Sequence, residues 1–125
     1  MWRGTLVAES LRVGSTLDGV PFTVERAERV APGDLSRQQL EAGIPERWTL
    51  LRFTVADADA QRLADALAGA LDGFGWYADL GSEDETIVVF SGRVFRYARG
   101  DRGERAAAEE HGRAHGVPDE QLDWP

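Results

Sequence analysis

The chain contains no cysteine, no lysine, no asparagine and a single methionine. Without cysteine there can be no disulfide, no thiolate-bound metal and no thiol nucleophile. Its longest apolar run, Ile87 to Phe90, is far short of the roughly 20 residues needed to cross a bilayer. The opening Met1-Trp2-Arg3-Gly4 lacks the apolar stretch of a secretory signal, so a cytoplasmic location without membrane association is expected. The missing lysine and asparagine, with isoleucine only at positions 44 and 87, go together with abundant Ala, Gly and Arg. That is the signature of GC-rich codons and points to a bacterial source, so the all-arginine basic set reflects codon usage rather than a binding function.

What is present describes one folded unit. The chain has 125 residues, 42% of them apolar, with four Trp and five Phe. A single α+β domain over residues 1–125 is expected, burying about two-thirds of its unfolded surface. The net charge of −8 disfavours nucleic acid, whose phosphates repel an acidic chain. Charge is uneven: residues 57–90 hold eight acids against Arg62 alone, whereas residues 91–113 hold six Arg against four acids.

Hydrophobic periodicity divides the chain into strands, a helix, strands and a helix. Residues 2–8 alternate, with Trp2, Leu6 and Ala8 opposite Arg3, Thr5 and Val7; residues 20–30 and 48–55 alternate likewise. Residues 31–47 read as an irregular connection with a short helical turn at 35–42. Leu63, Leu67 and Leu71 mark a helix over about 58–71, capped by Asp57 or Asp59 and ended by a left-handed Gly73. A second helix, about 102–115, starts at Asp101 with Glu104 three residues on and stops at Gly116 and Pro118.

The stretch 75–99 is the most informative. Ser91-Gly92 makes a two-residue hairpin loop, which pairs Phe90 with Arg93, Val88 with Phe95 and Thr86 with Tyr97. The preceding turn, Gly81 to Asp84, is expected to pair Leu80 with Glu85 and Trp76 with Val89. Alternation then gives two faces. One carries Trp76, Ala78, Leu80, Ile87, Val89, Val94 and an anomalous Arg96. The other carries Tyr77, Asp79, Thr86, Val88, Phe95 and Tyr97, fringed by Arg93 and Arg99. The fold class expected is a mainly antiparallel, or mixed, sheet of five or six strands with two helices mostly on one face.

Catalytic and metal motifs are sparse. His111 and His115 have the four-residue helical spacing of a metal pair, but Gly112 stands where a metalloprotease needs Glu; no metal or other cofactor is expected. Glu83-Asp84-Glu85 lacks the spaced ligands of a calcium loop. None of the serines lies in a Gly-x-Ser-x-Gly elbow, and Gly73-Phe74-Gly75 is not a phosphate loop. Glu9, Asp79 and Glu85 lie on or near strands, where burial would suit a carboxyl to acid–base work. Arg93, Arg96, Arg99, Arg102 and Arg105 interleave with Phe95 and Tyr97 as in single-strand nucleic-acid binders, but the neighbouring Asp84, Asp101 and Glu104 favour local ion pairing.

Trp76-Tyr77-Ala78-Asp79, Glu85 to Phe90, Val94-Phe95-Arg96-Tyr97, Gly116-Val117-Pro118 and Gln121-Leu122-Asp123-Trp124 together resemble a group of short uncharacterised bacterial proteins. The likeness spans nearly the whole chain. It implies a stand-alone protein and brings no activity and no functional residue.

The leading functional expectation is a small, non-enzymatic binding or regulatory protein that presents Tyr77, Asp79, Arg93, Phe95 and Tyr97 to a protein partner or a second copy. The alternative is a small-molecule binder or enzyme with a pocket over the same face, using Asp79 and Tyr97. Whether a reaction is catalysed stays open. A third outcome removes the surface altogether: residues 1–30 or the Leu122–Trp124 tail cover it, making it a second core layer.

Overall fold

The computed structural model describes residues 1–125. Six strands form one antiparallel sheet: β1 (Trp2–Val7), β2 (Thr23–Val30), β3 (Trp48–Val55), β4 (Ala78–Gly81), β5 (Glu85–Phe90) and β6 (Arg93–Ala98). Their order across the sheet is β2-β3-β1-β4-β5-β6. Three helices accompany them: α1 (Arg37–Glu41), α2 (Ala60–Ala70) and α3 (Arg102–Ala114). The α+β class and the antiparallel sheet agree with the periodicity. No parallel pair forms, because β1 lies between β3 and β4 and runs antiparallel to both. No helix is long and apolar enough to cross a membrane.

The Ser91-Gly92 hairpin has the expected register, with Val88 opposite Phe95 and Thr86 opposite Tyr97. The other hairpin is displaced by two residues, pairing Leu80 with Ile87 and Ala78 with Val89. Ser82 explains the shift. Its backbone N–H donates to Glu85 O at 3.0 Å, while its hydroxyl accepts from the N–H groups of Asp84 and Glu85, closing the turn one residue later at each end. A shift of two keeps every side chain on its face.

The helices divide between the faces instead of sharing one. Leu63, Leu67 and Leu71 of the α2 segment are fully buried against Trp2, Leu6, Phe53, Leu80, Ile87 and Val89, the main core. On the opposite face Val88, Phe90, Phe95 and Tyr97 are covered by Ala108 of α3 and by Val117 and Trp124 of the tail. Helix α3 can serve a second face because its stripe is alanine and glycine: Gly112 lies under Leu122 and Phe90, where a β-carbon would meet Leu122 Cδ2 at 2.9 Å. Gly116, at φ +85°, turns the chain back so that the tail can follow.

Three local details differ from the sequence pattern. Asp59 precedes α2 without capping it, because its carboxylate takes the Arg62 guanidinium at 2.8 Å. Gly73 is not left-handed. The helix ends earlier, at Leu71, which becomes extended, bridges Leu11, and lets Asp72 N–H donate to Ser10 O. Trp76 precedes β4 and leaves the main core for a third cluster with Val7, Ile44, Leu35, Trp48 and Leu50. The connection 31–47 forms one wall of that cluster. Within it Ser36 and Gln39 cap α1 reciprocally, as a capping box.

Candidate functional site

Phe95 and Tyr97 are 7% and 4% exposed beneath α3 and the tail. They are core residues and cannot form a surface, so the expected aromatic interface is corrected: the tail supplies Trp124 and Leu122 precisely where that interface was sought. Arg93 is exposed at the sheet edge, with its guanidinium 4.6 Å from the Phe95 ring centroid. Tyr77 is half-buried, edge-on to Trp124 at 5.2 Å, and its hydroxyl donates to the Gln121 carbonyl at 3.0 Å. Asp79 lies beside it, also half-buried.

The other carboxylates proposed for acid–base work are satisfied. Glu9 accepts from Thr49 N–H at 2.6 Å, Thr49 hydroxyl at 2.9 Å and Arg29 at 2.7 Å. Burial alone would raise its pKa, but these bonds bring it below the usual value. Glu85 receives both arms of Arg96, at 2.8 and 2.9 Å, and the hydrogen bond from Arg96 lowers its pKa. This pair also resolves the anomalous Arg96: its guanidinium stays at the surface, lying 5.0 Å from the Trp2 ring centroid. Neither carboxylate is free to work as a base. The histidines stack on each other at 4.1 Å, with His111 against Phe90 and Phe95, and no third His, Asp or Glu joins them.

Asp79 differs from both. A cross-strand row runs Arg26, Arg52, Thr5, Asp79, Val88, Phe95. Asp79 therefore stands at the boundary between the tail-covered half of this face and its open half. The two cations of its row, Arg52 and Arg26, lie beyond Thr5 and are both engaged by Glu28, at 2.8 and 3.4 Å. No hydrogen bond or ion pair reaches the Asp79 carboxyl. Burial, followed by the negative charge of Asp123, raises its pKa to about 6 against the weaker opposing pull of Arg52. Gly4 sets how closely the strands approach at this point: a β-carbon there would meet the Asp79 carbonyl oxygen and the Phe53 ring at 2.5 Å, so β1 and Phe53 can close against β4 only around glycine.

Three surface depressions surround this carboxyl. A broad, polar cleft of about 1030 Å³ includes Arg3, Ser82, Thr86, Arg96 and Arg99. A second, open one of about 610 Å³ lies over Arg3, Thr5, Arg52 and Thr54. The third is a more enclosed pocket of about 100 Å³, walled by Val7, Trp48, Leu50, Trp76 and Tyr77, with Thr5, Asp79 and Gln121 as its polar groups. Trp48 and Trp76 meet at 5.2 Å and 53°, while Trp48 Nε1 is fixed by donation to Pro45 O at 2.8 Å. Gln121 Nε2 is buried and has no acceptor. Asp79 alone lines all three depressions.

Tyr77 and Asp79 thus remain in the candidate site, and Thr5, Trp48, Trp76 and Gln121 join them. The tail was visible in the sequence only as a possible cover for this face, and Trp48 only as the start of an alternating segment. Trp76 gave the opposite signal, because alternation through residue 76 assigned it to the other face. No protein-family model, curated protein or solved structure matches the chain.

Proposed function

We propose that this protein binds a small molecule in the pocket formed by Trp48, Trp76, Tyr77 and Asp79. The observation that carries the reading is a carboxyl without a partner, lining a recess whose walls are mostly aromatic and aliphatic, with Thr5 and Gln121 as the other polar groups. Ligand pockets have this composition: mostly apolar lining with a few convergent polar groups, including a titratable one with a perturbed pKa. Glu9 and Glu85, the other strand carboxylates, have such partners, whereas Asp79 has none within the fold. The pocket corresponds to the small-molecule alternative drawn from the sequence, with Asp79 retained and Tyr97 replaced by Tyr77 and the two tryptophans.

A library of small soluble fragments, screened by amide and indole NMR shifts, tests this. Hits should perturb Thr5, Trp48, Trp76, Asp79 and Gln121 together. Hits that map only to other surfaces, or a complete absence of hits, would overturn the proposal.

A further inference from the structure

We propose that the ligand of this pocket is an organic cation, with an alkylammonium head held between the Trp48–Trp76–Tyr77 walls and the Asp79 carboxylate. This rests on the pocket being a binding site, and adds to it the charge and chemical class of what enters.

Three observations converge on a cation. The first is the wall. Aromatic faces carry a negative quadrupole and attract cations, and tryptophan does so most strongly. Two tryptophans in contact at 5.2 Å and a tyrosine line one small recess. A neutral apolar ligand would use these rings equally well, so the wall alone does not decide.

The carboxyl does. A neutral ligand would bury Asp79 further without compensating its charge, whereas a cation supplies the counter-charge that the fold withholds. Arg52 and Arg26, the cations in the same row of the sheet, are separated from Asp79 by Thr5 and paired with Glu28. The site therefore does not neutralise itself.

The third observation is the surrounding field. Asp79, Asp123 and Asp34 all act on the Tyr77 hydroxyl and, after burial, raise its pKa. Carboxylates of β4, the tail and the 31–47 connection thus act together on one wall of the pocket. The whole chain carries −8, and such a field favours a cation and repels an anion before contact. The size of the pocket, about 100 Å³, suits a compact head of several heavy atoms rather than a whole cofactor. Gln121 Nε2, a buried donor without an acceptor in the same lining, suits an oxygen carried near the ammonium.

Choline and its neutral isostere 3,3-dimethylbutan-1-ol serve as probes, because they share shape and hydroxyl and differ in charge. Each is titrated into the full chain while tryptophan fluorescence and indole NMR shifts are followed. Choline should bind at least about tenfold more tightly than the isostere, and Asp79→Asn should reduce that preference to near unity. Asp79→Asn retains shape and removes a half-buried, unpaired charge, so loss of folding does not confound it; a thermal melt checks this. Trp48→Leu should weaken choline more than the isostere. Equal binding of the two probes, or binding of the isostere alone, would overturn the cation assignment and leave the pocket standing. If neither probe binds, the cation assignment falls. The fragment screen then determines whether the pocket falls with it.

Discussion

Asp79 is the residue at which stability and function should be seen to oppose each other. Its pKa is raised to about 6 in the folded protein by burial and by Asp123, against an ordinary value near 3.8. A carboxyl whose folded pKa lies above its unfolded one binds its proton more tightly when folded. Its favourable contribution is therefore complete below about pH 4 and is lost as pH rises to about 6. Asp79→Asn should remove this dependence. The variant should exceed the wild type by about 3 kcal/mol at pH 8, and the two should converge towards pH 4 in denaturant melts. His111 runs the other way: burial, then His115 and Arg93, lower its pKa, so its contribution is lost as pH falls below 6.5. It is present in both proteins and cancels in the difference. A variant that gains stability while losing ligand is the pattern expected at a functional position. Tyr97 provides the contrast. At 4% exposure beneath α3 and the tail it belongs to the core, and Tyr97→Ala should cost about 3–5 kcal/mol, read from the same melts.

Elements were legible in the sequence where a local rule dictated them. The Leu63–Leu67–Leu71 stripe specified α2, the two-residue loop Ser91-Gly92 specified the β5–β6 register, and Asp101 capped α3 as its spacing with Glu104 implied. Leu67 is fully buried at the centre of its stripe, so Leu67→Ala should cost about 2–5 kcal/mol. A loss below about 0.5 kcal/mol in a urea melt would contradict the packing described for α2. Elements were illegible where two local rules competed. Asp59 had both a helix to cap and Arg62 three residues on, and the ion pair took it. Trp76 continued the alternation of β4, but the strand begins only at Ala78, and the tryptophan follows Trp48 instead. The pocket inherits that difficulty. Its walls come from β1, β3, the approach to β4 and the tail, which no periodicity relates to one another. Only Tyr77 and Asp79, adjacent in the meander, could be selected from the sequence.

At the scale of the whole molecule, the sheet is closed by different means on its two sides. One face has a leucine-rich helix; the other has an alanine helix followed by a short tail. The two free edges are blunted by charge. Glu25, Arg26, Glu28 and Arg29 line β2, and Arg93 and Arg96 line β6, which discourages strand pairing between molecules. The tail is therefore the vulnerable closure. Truncation after Gly116 removes Val117, Leu122 and Trp124 from Phe90, Phe95 and Tyr77, and also removes the carbonyl that holds the Tyr77 hydroxyl. The main core around α2 does not use these residues. The truncated chain is thus expected to retain its sheet by far-ultraviolet circular dichroism, melt at a lower temperature and expose contiguous aromatic surface. Exposed apolar surface of that kind associates. Sedimentation should then show concentration-dependent self-association that the full chain lacks, and a Trp124→Ala variant should show it to a lesser degree. A truncated chain that sediments as the full one does, with an unchanged melting temperature, would contradict the covering role of the tail.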